Sequence, residues 1–262
     1  AFASAVLAMG VPASAQVDLN GAYMIRMYED FNERGPGSDL GDYTGMPLSD
    51  EGRAKALLYT SNLPSTVERQ CLAQSAGVFQ YRPLGLRMWS EVDADGRVLA
   101  WKIGGDYLRD NITIWMDGRP HPSVNALHLA GGFATGKWEG DTLTARMTHL
   151  KTAWIRRGVG IPGSDQSTIT LHFTLQENML TVTTIQEDPI YLTEPHVVSR
   201  VWESDPRGNT GGGRTICNTA NEIPRLEDSG IVPHYLPGQN PEADFMTRTY
   251  NIPREAAMGY AE

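Results

Sequence analysis

From about Val78 onward, apolar and polar residues alternate with a period of two, the pattern of strands that have one buried face. Leu86, Met88 and Ser90 alternate with Arg87, Trp89 and Glu91, and Asp93-Ala94-Asp95-Gly96 has hairpin-turn chemistry before Val98–Ile103. Ile112, Ile114 and Met116 alternate with Thr113, Trp115 and Asp117. Gly132–Trp138 leads through Glu139-Gly140-Asp141 into Thr142–His149; Thr168–Leu175 turns at Glu177-Asn178 into Leu180–Gln186, and Val197–Glu203 closes the series. About eight strands with no βαβ alternation predict an all-β fold. An antiparallel, lipocalin-like barrel of neighbouring hairpins is the expected form, because closure removes exposed edges; a two-sheet sandwich is the alternative.

Ahead of the strands the pattern changes. Residues 16–45 lack a clear period, and residues 16–77 read as an N-terminal arm with short helices. Ser49 is placed to cap a helix running through about Leu58, and a second helical turn is expected near Ser65–Cys71. The predicted division is a barrel over 78–205 and a Pro-rich C-terminal arm over 206–262 that packs on it. Residues 1–15 are a short apolar run ending Ala13-Ser14-Ala15, as in a secretory signal peptide cleaved after Ala15, too short to span a bilayer. A periplasmic or secreted address follows. With it comes the expectation that Cys71 and Cys217 form a disulfide, worth about 4–5 kcal/mol on the chain-entropy account; free structural cysteines and a catalytic thiol are the alternatives. The net charge of −9 argues against nucleic acid and anionic membrane surfaces as partners.

Candidate chemistry is concentrated between Trp115 and Asp165, where three of the six histidines fall. Extending strand 142–149 in phase puts His149 and then Lys151 on the face of Leu143, Ala145 and Met147, hence in a barrel mouth. Prolines on both sides of His121 stiffen its backbone, and Asp117 and Arg119 either contact a ligand or pair with each other. His128, Arg157 and Trp154 are further binding candidates; Tyr191 and Glu194 lie in a proline-bracketed loop that reaches the same mouth. The histidines form no HxH, HExxH or HxxxH pair, so neither metal nor other cofactor is expected, with convergence of dispersed histidines as the open alternative. Trp138 reads as a plug of the barrel end.

The phrases WMDGRPHP (115–122), GKWEGDTL (136–143), THLK (148–151) and YLTEP (191–195) occur in an order that resembles a large, uncharacterised family of exported bacterial β-barrel proteins. The resemblance covers roughly 52–205 and implies a shared fold and site, but brings no activity with it. Three functions are therefore in play. The first is a cofactor-free lyase or isomerase acting on a small apolar or aromatic molecule. In it, His149, His121 and Tyr191 or Glu194 act as acid and base, and Lys151 and Arg157 offset developing negative charge. The second is a non-catalytic carrier of such a molecule, and the third a structural or interaction module. Homodimerisation is a further option. A shared cavity around the ionisable residues favours the first; an interior filled by aromatic side chains favours the third.

Overall fold

The computed structural model describes residues 17–26, 43, 45–59, 72, 79, 85–105, 111–156, 159–207, 239, 244–251 and 253. The chain divides into two compact units, Ala1–Thr219 and Ala220–Glu262. In the second, the described element is a short helix, α2 (Phe245–Tyr250), ended by Asn251 in the left-handed conformation. Cys71 and Cys217 lie outside the described residues, as does the helical turn expected near Ser65.

The first unit contains a closed nine-strand barrel, so the all-β barrel expectation holds. Its strands are β1 (Gly21–Ile25), β2 (Leu86–Val92), β3 (Val98–Gly105), β4 (Ile112–Trp115), β5 (Phe133–Glu139), β6 (Thr142–Thr148), β9 (Thr168–Gln176), β10 (Met179–Glu187) and β11 (His196–Ser204). Their order around the barrel is β1-β11-β10-β9-β6-β5-β4-β3-β2. The strands β7 (Ala153–Arg156) and β8 (Ile161–Gly163) form a separate hairpin inserted between β6 and β9. Helix α1 (Asp50–Leu57) starts where expected: Ser49 Oγ accepts from Gly52 N at 3.0 Å.

Two features depart from the expected run of hairpins. β1, inside the stretch read as an arm, closes the barrel between β2 and β11. β4 and β5 pair in parallel, which obliges residues 116–132 to return the full height of the barrel as a crossover. Every other neighbouring pair in the barrel is antiparallel.

These connections give the barrel two unlike ends. At the hairpin end lie the β2–β3, β5–β6 and β9–β10 turns. Asp93 Oδ1 makes the first by accepting the N–H groups of Asp95 and Arg97, both at 2.9 Å. At the loop end lie the 149–167 excursion and the 188–195 loop. There a second apolar cluster joins Leu48 and Ala56 to Ile155, Ile161 and Leu192, and so ties α1 to the β7–β8 hairpin.

The inward side chains fill the barrel. Leu143, Ala145 and Met147 of β6 face Ile169, Leu171 and Phe173 of β9, then Leu180 and Val182 of β10 and Trp202 of β11, each essentially without exposure. Phe79 packs edge-on against both Phe173 and Trp202 at 6.1 and 6.2 Å between ring centroids. Burying each such side chain contributes about 1.5–3 kcal/mol, and the described interior is a packed core of the kind narrow barrels form. Among the described residues, no helix is long and apolar enough to cross a membrane.

Candidate functional site

The alternation assigned to β6 is correct, but it stops at Thr148. His149 has φ +56°, which turns the chain off the strand and resets the phase. Its ring lies beside Thr148, with Nδ1 at 2.7 Å from Thr148 Oγ1, and not with Met147 inside the barrel. Lys151 is exposed and uses its backbone N–H to bond Leu129 O at 3.1 Å. The placement of His149 and Lys151 in a barrel mouth is therefore corrected: a single left-handed residue breaks the extrapolation.

The three dispersed histidines do come together, on the outer wall of β5 and β6. His121 Nδ1 lies 2.7 Å from Thr148 Oγ1 and its Nε2 lies 2.9 Å from Thr135 Oγ1; both threonines face outward. The His121 ring stands edge-on to Phe133 at 5.2 Å. His149 Nε2 donates to the carbonyl of Ser123 at 2.8 Å, and His128 Nδ1 donates to the carbonyl of Leu150 at 2.8 Å. The His128 and His149 rings are 5.3 Å apart. Together with the Leu129–Leu150 bridge, these contacts pin the crossover to the barrel. Burial, then the charges of Arg146 and His149, hold His121 below the ordinary histidine range. Among the described residues, no three His, Cys, Asp or Glu side chains are grouped to hold a metal ion.

The other expected site residues are elsewhere. Arg119 clamps Asp117 through Nε at 2.8 and 2.9 Å, and its guanidinium stacks on Trp115 at 3.6 Å. Hydrogen bonding from Arg119 holds the Asp117 carboxyl below its usual range. Tyr191 sits against the start of α1, where its carbonyl accepts Ser49 N at 3.0 Å. Burial, helped by Glu51, Asp188 and Asp165, pushes its phenol up, away from the range of a base at neutral pH. Glu194 is exposed, and Trp154 is buried edge-on to Tyr59 at 5.8 Å. Arg157 lies outside the described residues. None of these groups lines the cleft described below.

Two polar regions were not anticipated. At the loop end, buried Asp188 accepts five hydrogen bonds: from Ser164 N (2.6 Å) and Oγ (2.8 Å), Ser167 Oγ (3.3 Å), Ile190 N (3.0 Å) and Tyr191 N (3.1 Å). Gln186 Nε2 extends the network to Ser167 Oγ at 3.0 Å. Near it, burial and the Arg156 charge bring His196 down to about 4. The signal was present in the phase. Thr184 and Gln186 share the inward face of β10 with Leu180 and Val182, and Arg200 shares that of β11 with Trp202.

At the hairpin end, a cleft of about 600 Å³ opens between the β2–β3 turn, the start of the crossover and β5. It is lined by Gly96, Arg97, Val98, Met116, Gly118, Gly136, Lys137 and Trp138. Trp138, read as a plug of the barrel end, packs against the barrel core and also forms a wall of this cleft; its buried Nε1 has no acceptor among the described residues. Gly136 keeps the strand close to its neighbours: a Cβ there would lie 2.6 Å from Ile114 Cγ2 and 2.9 Å from Met116 Sδ. Two cations and no carboxylate line the cleft, although Lys137 pairs with Glu139 at 2.6 Å just outside it.

No family model, curated protein or solved structure matches this chain. What the molecule does must be argued from these two regions.

Proposed function

We propose that this protein is a non-catalytic carrier of a small, largely apolar molecule bearing a negative group, held in the hairpin-end cleft. The observation that carries this reading is the lining: an indole, a thioether and a valine beside Arg97 and Lys137, in a volume suited to a small ligand. An acid/base lyase or isomerase in the barrel mouth has less support. The ring nitrogens of His121 and His149 are engaged in holding the crossover, Tyr191 sits against α1, and Glu194 and Lys151 are exposed. The signal-like 1–15 segment and the exported-family resemblance make the periplasm or the exterior the proposed place of work.

The test uses anilinonaphthalene sulfonate, an aromatic anion whose fluorescence reports binding. Saturable binding is expected, weakened at least tenfold by the double change Arg97→Glu and Lys137→Glu and by Trp138→Ala. Lys151→Glu, at the other end of the barrel, should leave it unchanged. Absence of saturable binding, or equal loss with Lys151→Glu, rejects the cleft as the binding site.

A further inference from the structure

The crossover over 116–132 is held by a chain of hydrogen bonds whose direction follows from a single atom. A backbone carbonyl only accepts, so the Ser123 oxygen requires the proton of neutral His149 to sit on Nε2. His149 Nδ1 is then a bare acceptor and takes the hydroxyl proton of Thr148. That hydroxyl has one proton, so His121 Nδ1, 2.7 Å from the same oxygen, must donate. His121 Nε2 in turn accepts the hydroxyl proton of Thr135 at 2.9 Å. All four side chains are satisfied without a gap, in one sense only.

We propose that this Thr135–His121–Thr148–His149 chain is an acid-sensitive latch that holds the crossover to the barrel wall and opens when a second proton enters it. The first proton can be absorbed. Placed on His149 Nδ1, it makes that nitrogen a donor; Thr148 then donates to His121 Nδ1, and His121 Nε2 donates to Thr135, so the chain reverses without losing a bond. A second proton can still be hydrogen-bonded, because the Thr148 oxygen has two lone pairs, but only by setting two like charges against each other. Both Nδ1–H groups then point at one hydroxyl oxygen, and two imidazolium rings stand on either side of it.

The surrounding charges do not relieve this. On β6 the neighbour is Arg146, a cation that acts on His121. On β5, Lys137 pairs with Glu139 in solvent; on the crossover, Asp117 is held by Arg119, and His128 adds a third imidazole beside His149. After β6, Lys151 is a further cation. The depressed His121 gives the same sign. The closed latch binds fewer protons than the open one, so its stability is complete above about pH 6.5 and declines as pH falls below that value.

Two measurements on the whole chain test the latch. Imidazole ¹⁵N shifts at pH 7.5 should show His121 protonated on Nδ1 and His149 on Nε2; the opposite assignment for either overturns the proposal. Amide hydrogen exchange, corrected for its intrinsic pH dependence, should accelerate at least tenfold between pH 7.5 and 5 at Leu129, Gly132 and Lys151. These amides hold the crossover through bonds of 2.9–3.1 Å. The barrel amides of Leu171 and Val182 should accelerate less. In His121→Gln, which keeps a donor and an acceptor but cannot be charged, the acid response should shrink below about threefold; Thr148→Ser should retain it in full. A pH-independent crossover, or an acid response unchanged in His121→Gln, overturns the latch. Should His121→Gln be unprotected already at pH 7.5, the tautomer assignment in the unaltered protein decides.

Discussion

The hairpin end and the loop end of the barrel are made from the same strands, yet they handle polar groups in opposite ways. At the hairpin end the connections are short, and Arg97, Lys137 and Glu139 stand in solvent around an open cleft. At the loop end the connections are long, and Asp188, Ser164, Ser167 and Gln186 are buried and satisfy one another. Several ionisable groups that stand out in the sequence, His121, His149 and the Asp117–Arg119 pair, have their hydrogen-bonding capacity already engaged within the protein. The cleft is bounded by residues such as Met116, Gly118 and Gly136, which attract little notice in a sequence.

The largest effect that separates the two ends is expected at Asp188. Replacing it with Ala removes the acceptor for three backbone N–H groups and two hydroxyls at once. Orphaned buried donors cost about 1–3 kcal/mol each where water cannot reach them, so a loss of about 3 kcal/mol or more in urea unfolding is expected. Asp188→Asn, which keeps one acceptor oxygen, should lose less. Glu139→Ala, which removes an exposed carboxylate at the open end bonded to Lys137 and Thr144, should shift the urea midpoint far less than Asp188→Ala. Equal losses at Asp188 and Glu139 would erase the contrast.

Next in size is the pH response of His196. Its value of about 4 lies below the unfolded histidine range near 6.5, so the folded state binds fewer protons and is favoured as pH rises. Stability from this residue is complete above about pH 6.5, falls through the window from 6.5 to 4, and levels off below it. The loss is on the order of 3 kcal/mol at about 1.4 kcal/mol per unit. Unfolding followed from pH 7 to 4 should show most of that slope removed in His196→Gln. An unchanged slope would mean that the loop end does not hold this imidazole neutral.

How much of this was legible follows from what alternation can report. β6, β9 and β10 were readable because each has three or four consecutive inward residues in one phase, as Leu143, Ala145 and Met147 do. β1 was not, because Gly21-Ala22-Tyr23-Met24-Ile25 puts only Tyr23 and Ile25 fully inside and carries apolar residues in both phases. The parallel β4–β5 pair was unreadable for a different reason: period identifies a strand but not its partner, so the crossover and its histidine pins had no signature. The composition of the histidine cluster was legible, since His121, His128 and His149 were all singled out. Its location was not, because one residue at φ +56° undid the phase argument that placed it. The Asp188 hub joins residues 164, 167, 190 and 191, a convergence that only the folded β7–β8 excursion creates.

The smallest expected effect sharpens the comparison most directly, because it uses one backbone conformation at both ends. Glu177 in the β9–β10 turn has φ +54°, and His149 at the loop end has φ +56°. A non-glycine residue in this region costs roughly 1–2 kcal/mol, which glycine relieves, less the roughly 0.5–1 kcal/mol of freedom that glycine gains in the unfolded chain. Glu177 is exposed and its side chain carries no load in the turn, so Glu177→Gly should stabilise the protein by about 0.5 kcal/mol. His149 is relieved of the same strain by glycine but loses its bonds to Thr148 Oγ1 and to the Ser123 carbonyl. At about 1 kcal/mol for each bond, His149→Gly should destabilise by about 1–2 kcal/mol. Urea midpoints of the two variants should therefore move in opposite directions from the same substitution at the same φ. Movement in one direction for both would show that backbone strain, and not the side chain's hydrogen bonds, sets the value of these positions, and His149 would lose its place as a pin of the crossover.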